Sequence, residues 1–158
     1  MKCAFVHEDL GFDEAVDHRL DDFEPRLATA CPNGVDVYFE NVGGAILQAV
    51  MPMLNQFARI PVCGLIAHYD GAGPPGAIDL AAAMRIILSK RLTLRGFINY
   101  DFADELYGDF QREVSLGMAE GLIRYREHIV DGLENAPKAL IDMLDGRNFG
   151  KVLVRFDD

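Results

Sequence analysis

Cysteine is scarce in this sequence, excess positive charge is absent, and long apolar runs are missing. The three cysteines, Cys3, Cys31 and Cys63, are far apart, odd in number and contain no CxxC pair. That excludes a disulfide scaffold and a thiolate zinc site as the basis of the fold. Cys31 and Cys63 read as small buried hydrophobes. The four histidines form no HxxxH or HxH pair, so no metal site is expected. The formal charge of −10 argues against a nucleic-acid or anionic-membrane surface. Clusters such as Asp21-Asp22 read as solvated surface. No apolar run approaches a membrane span. The N-terminal MKCAFVHEDL has neither the apolar stretch nor the cleavage site of a signal peptide, so a cytoplasmic protein is expected. No GxSxG or cysteine–histidine arrangement points to a hydrolase.

What remains is ordinary for a globular chain: 158 residues, 50% apolar and 25% charged. That length can build a real core. The pattern alternates helices with strands. Residues 2–10 read as the end of a helix closed by Gly11, and Glu14 to Asp17 as a short strand. Residues 21–30 read as a helix ended by Pro32-Asn33-Gly34, and 35–40 as a strand. Residues 44–58 carry a helical stripe of Leu47, Val50, Met51, Leu54 and Phe57 or Ala58, broken or kinked at Pro52. The run RIPVCGLI over 59–66 suits a strand buried on both faces of a parallel sheet.

Residues 70–77, DGAGPPGA, read as a loop. Residues 78–90 follow as a helix with Leu80, Met84, Ile87 and Leu88 on one face, and 92–99 as a strand. Phe102, Leu106, Phe110, Val114, Met118, Leu122 and Tyr125 recur every three or four residues, predicting one long core-packed helix with Asp101 as its N-cap. An extended piece over 126–131, a short helix over 134–145 stopped by Gly146, and a strand over 151–156 complete the chain.

Strands alternating with helices predict βαβ units and a mainly parallel sheet. Ligands of such sheets bind outside the carboxyl ends of the strands. Those ends here lead into Asn41-Val42-Gly43-Gly44, Ala67-His68-Tyr69-Asp70 and Phe97-Ile98-Asn99-Tyr100. Asn41, Tyr69 and Asn99 should therefore crowd one rim. The glycine pair should let backbone approach a ligand, and the following helix should offer free N–H groups. The GxGxxG phosphate loop that opens a dinucleotide-binding sheet is absent. Pattern alone supports part of a nucleotide-type α/β domain.

The segments GVDVYFENVGG, RIPVCGLIAHYD, RLTLRGFINYDF and EHIVDGLENAPKALIDMLDGRNFGKVLVRF occur in that order. Together with LGFDEAVDHR they resemble the zinc-independent medium-chain dehydrogenase/reductases. The similar branch is the NADP-dependent oxidoreductases related to prostaglandin reductase and leukotriene hydroxydehydrogenase. The resemblance covers nearly the whole chain, but it begins in the middle of the family's cofactor domain.

It implies a C-terminal part only: a partial Rossmann-type, doubly wound parallel sheet, with a helix–strand extension that belongs to the catalytic domain. Residues 1–100 would be the later part of the NADP-binding domain. The first strand, the glycine-rich loop and the lysine for the 2′-phosphate would be lacking. Residues 101–158 would return to the catalytic domain.

The resemblance also implies the site. Asn41 would touch NADP near its ribose–nicotinamide end, and Cys63, Gly64 and Ile66 would line the nicotinamide pocket with Tyr69. Phe97, Ile98 and Asn99 would hold the carboxamide, largely by backbone, and Asn148 would reach back to the cofactor. Tyr69 matches the family's active-site tyrosine. His18 departs from the pattern, standing where relatives carry a tyrosine, and His68 and Asp70 also vary.

The implied reaction is hydride transfer from NADPH to the β-carbon of an α,β-unsaturated ketone or aldehyde. A phenol, protonated at neutral pH, suits a donor to the carbonyl oxygen, where negative charge grows. A homodimer joined through the sheet edge near Leu92 to Phe97 is implied as well. The competing reading is a non-catalytic dimerisation or assembly domain that holds no cofactor, because its phosphate loop is missing.

Overall fold

The computed structural model describes residues 1–69 and 79–156. In chain order the main elements are α1 (Lys2–Ala4), α2 (Phe23–Ala30), β1 (Val35–Val37), α3 (Gly44–Val50), β2 (Leu54–Val62), α4 (Leu80–Lys90), β3 (Thr93–Gly96), α5 (Ala103–Ala119), β4 (Glu127–Asp131), α6 (Ala136–Leu144) and β5 (Lys151–Arg155). The architecture is mixed α/β, and every strand pair is parallel. The chain divides into two compact units, one of Val16–Tyr107 and one of Met1–Ala15 with Gly108–Asp158.

The first unit is a three-stranded sheet in the order β1-β2-β3. Val50, Met51, Leu54, Ala58 and Ile60 form its buried core. Leu27 of α2, Ile46 and Leu47 of α3, and Ala83, Ile86 and Ile87 of α4 pack on that core. Lys90 ties the end of α4 to the start of β2 by donating to the carbonyls of Pro52 and Leu54, both at 2.6 Å. Asp79 caps α4 by accepting from the Ala81 N–H at 3.0 Å.

The helix expected over 44–58 is shorter. It stops at Val50, makes one tight turn over Met51–Met53 and becomes strand at Leu54. Pro52 removes an N–H that a continuing helix needs. Leu54 and Ala58 are four apart, a spacing that satisfies both a helical stripe and alternate residues of a strand. The strand carries an irregularity: Val35 pairs Leu54, but Val37 pairs Arg59. Phe57 lies in the excess with φ 65, and the Arg91 guanidinium sits 4.6 Å from its ring centre.

Three further expectations change. Glu14 to Asp17 form no strand. Asp17 instead takes the main-chain N–H and guanidinium of Arg19 at 3.0–3.1 Å, and that hydrogen bonding holds its carboxyl down at about 2. On α4 the face is rotated: Ile87 packs inward, but Leu80, Met84 and Leu88 are exposed. This helix is apolar around much of its circumference, so periodicity could not choose its buried side. The run from Phe102 to Tyr125 is neither one helix nor core. Leu106, Phe110, Met118, Leu122 and Tyr125 are exposed, and α5 ends at Ala119. Gly121, at φ 72, turns the chain back, and the Leu122 and Ile123 N–H groups close on the Gly117 carbonyl at 2.8 and 3.0 Å. Asp101 caps from inside the first turn, accepting the Ile98 N–H at 3.1 Å.

The second unit pairs β4 with β5 in parallel, with α6 between them in sequence. The piece expected to be extended over 126–131 is a strand, and the helix near 134–145 and the strand expected over 151–156 are both present. The N-terminal helix is also present: α1 runs into a π turn over Phe5–Asp9, and Gly11 follows at φ 75. Phe5 meets the Phe149 ring edge-on at 5.2 Å, and Arg126 covers that ring at 4.0 Å.

Candidate functional site

The segments leaving β1 and β2 are laced together by main-chain hydrogen bonds. Glu40 bridges to Val62 just past β1. Its N–H reaches the Pro61 carbonyl at 2.9 Å, and its carbonyl accepts from Cys63 at 2.8 Å and Gly64 at 3.2 Å. Further on, Ile66 donates to Asn41 at 3.4 Å and Ala67 to Val42 at 2.9 Å. A one-turn 3-10 helix over Ile66–His68 then delivers Tyr69.

Gly64 is the centre of this arrangement. A Cβ there would stand 2.8 Å from the Asn41 side-chain oxygen and 3.5 Å from the Tyr69 hydroxyl. The missing side chain therefore leaves a small cradle into which an amide and a phenol both point. Beside it runs an open groove of about 490 Å³, lined by Cys63, Gly64, Tyr69, Phe97, Ile98 and Asp101 among others. The Phe97 ring lies between Phe39 and Phe102, with centroid distances of 6.0 and 6.2 Å. The N–H of Phe97 is spent on Val62 at 3.3 Å and that of Ile98 on Asp101 at 3.1 Å.

The structure thus brings Asn41, Gly64 and Tyr69 together and places Cys63, Phe97 and Ile98 along the groove. Ile66 and Asn99 flank the lining residues in sequence without lining the groove. Asn99 opens the 3-10 turn over Asn99–Phe102. Asn148 lies in the other compact unit, where its amide donates to the Gly150 carbonyl at 2.8 Å. Cys63 is exposed rather than buried. Asp70 and the 70–77 loop fall outside the described residues.

The turn at the glycine pair is held from within, and the helix that follows begins at Gly44. The N–H groups of Val42 and Gly43 are not free: the Glu40 carboxylate accepts both, at 2.6 and 2.8 Å. Gly43 is required for another reason as well. It sits at φ 79, and a Cβ there would press on the His68 ring at 3.1–3.2 Å and on Leu65 at 3.2 Å. Sequence reasoning passed over Glu40. Its signal was an acid placed at the end of an apolar strand, two residues before the first N–H it captures.

Tyr38 packs against the core nearby, and its phenol is pushed above the ordinary value, first by burial and then by the Glu40 charge. Among the described residues no three His, Cys, Asp or Glu side chains converge as metal ligands.

A parallel sheet with helices packed on its core, and with an amide and a phenol beyond its strand ends, places the chain in the α/β class. A family model described as "Zinc-binding dehydrogenase" matches residues 10–154, and the chain belongs to that family.

The chain is 50% identical over 156 residues to the NADPH-dependent curcumin reductase of Escherichia coli K12, covering 98% of this chain and 45% of that protein. It is 36% identical over 146 residues to pig (Sus scrofa) prostaglandin reductase 1, covering 92% of this chain and 44% of that protein. The crystal structure of CurA from Vibrio vulnificus in complex with NADPH superimposes with a TM-score of 0.92 at 48% identity. That match covers 99% of this chain and 47% of CurA. The chain therefore spans about half the length of these relatives, and the fold is that of the C-terminal, Rossmann-like portion of such reductases.

Proposed function

We propose that the chain serves as the C-terminal part of an NADP-dependent reductase acting on α,β-unsaturated ketones or aldehydes. The observation that carries this reading is the Gly64 cradle, where Asn41 and the Tyr69 hydroxyl converge at the carboxyl ends of the strands. The names of the relatives, with NADPH in the CurA complex, support the cofactor. NADPH, when bound, supplies a hydride for the β-carbon of the substrate. Asn41, Cys63, Gly64, Ile66, Phe97, Ile98 and Asn99 are the rim residues of this chain offered to the cofactor. The Tyr69 O–H donates a hydrogen bond to the substrate carbonyl oxygen, where negative charge collects. No step runs through a metal. In this reading residues 1–100 belong to the cofactor domain and 101–158 return to the catalytic domain.

Calorimetric titration with NADPH, and NADH alongside, tests the proposal. Micromolar binding that favours NADPH supports it. No binding at millimolar cofactor overturns it for this chain. That result would favour the assembly-domain reading, for which the exposed Leu80, Met84 and Leu88 of α4 speak. A Gly64→Ala change sharpens the test. Its methyl group would displace the Asn41 amide, the movable end of a side chain, so folding should survive. NADPH affinity should fall about tenfold while the melting temperature stays within a few degrees. Unchanged affinity would remove the cradle from the cofactor site.

A homodimer belongs to the same proposal. The strand β3 pairs only with β2 among the described residues, and all four of its residues are exposed. An open edge of this kind invites a second copy. Sedimentation velocity should show a dimer at micromolar concentration, and a monomer would contradict it. The three free thiols fit a reducing, cytoplasmic location, which cell fractionation would check.

A further inference from the structure

Glu40 is the buried charged residue of the described structure, at 1% exposure. One carboxylate oxygen, Oε1, takes the Val42 and Gly43 N–H groups at 2.6 and 2.8 Å. The other, Oε2, is buried with no main-chain partner, and the Tyr38 phenol is the side-chain donor beside the carboxylate. Its neighbour Tyr38 is itself half-buried. A charge in such a place is costly unless its contacts compensate.

The two main-chain contacts of the carboxylate shape one turn. The side chain fixes the two residues after Asn41, and the Glu40 carbonyl fixes Cys63 and Gly64. A single residue thus clamps the turn that carries Asn41 onto the segment that carries Gly64. The Asn41 amide oxygen then comes to rest over the place where a Gly64 side chain would be.

We infer that Glu40 is the positioning residue of this site: by clamping the Asn41–Gly44 turn it aims the Asn41 amide into the Gly64 cradle. The inference rests on the cofactor reading for its effect on binding, but not for its effect on the turn. Reach, rather than charge, is the required property. Glutamine keeps the acceptor oxygen at the same distance, whereas aspartate keeps the charge and is one methylene too short to hold both N–H groups.

The test compares Glu40→Gln and Glu40→Asp in the full chain. Two readings are taken: the NMR signals of the Val42 and Gly43 main-chain amides with the Asn41 side-chain amide, and the NADPH dissociation constant. Glu40→Gln should keep the Asn41 signals in place and bind NADPH within about threefold of the parent. Glu40→Asp should shift those signals and weaken binding about tenfold, with the fold intact.

A Glu40→Asp chain with parental Asn41 signals and affinity would overturn the inference. So would a Glu40→Gln chain as impaired as Glu40→Asp, because charge would then be the property that matters. If the parent chain binds no NADPH, the cofactor reading falls, and the Asn41 signals alone decide the positioning role.

Discussion

Replacing Tyr69 by phenylalanine should lower the rate of enone reduction about 100-fold, the typical loss when one preorganised donor is removed from a developing oxyanion. The physical argument starts from position. Tyr69 follows a tight turn after β2 and is exposed, so its phenol is presented to a substrate rather than built into the core. Its hydroxyl lies 3.5 Å from where a Gly64 Cβ would be, on the same cradle as Asn41. Phenylalanine keeps the ring and its packing while removing only the O–H. The loss should therefore appear in kcat, with NADPH affinity within about twofold of the parent. Steady-state kinetics on a simple enone, with a parallel cofactor titration, provides the check. An unaltered kcat would mean that Tyr69 is not the donor. A parallel loss of affinity would mean that it serves binding instead.

The second large effect concerns stability. Gly150→Ala should destabilise the unit that contains β4 and β5 by roughly 3 kcal/mol or more. Gly150 has φ 106, a region nearly closed to residues with a side chain. A Cβ there would collide with the Arg126 carbonyl group, its carbon lying 2.7 Å away. That same carbonyl accepts the Lys151 N–H at 2.8 Å, the bond that starts the β4–β5 pairing. Gly146→Ala is the control. It too has positive φ, at 68, but a Cβ would meet nothing within 4 Å. Its cost should be about 1 kcal/mol, the conformational term alone. Urea titration followed by circular dichroism would separate the two. Equal losses would show that strain dominates and that the Arg126 contact relaxes.

The strand-end geometry was partly legible in the sequence. The sharp stop of an apolar strand at Asn-Val-Gly-Gly marked a strand end, and the βαβ rhythm placed Asn41 and Tyr69 on one edge. Those inferences hold because parallel strands share a carboxyl edge whatever the packing details. The groups that surround Gly43 were hidden in the sequence for a local reason. A glycine reports that a side chain is excluded, not what excludes it, and here the excluding groups are His68 and Leu65. Glu40 was overlooked because surface and buried acids look alike in a sequence. Only the two N–H groups at its carboxylate set it apart.

Sequence alone determined the α/β class, the order of most elements, the family and the strand ends that bring Asn41 and Tyr69 together. Local chemistry suffices for those: proline stops a helix, glycine permits a turn, and apolar periodicity marks an element. Tertiary structure alone decided which face of α4 is buried, where β2 begins and why Val42 and Gly43 offer no free N–H. Each of these depends on partners distant in sequence or on a side chain's final direction. Apolar periodicity is also ambiguous when two faces of a helix are equally hydrophobic, or when a four-residue spacing fits helix and strand alike.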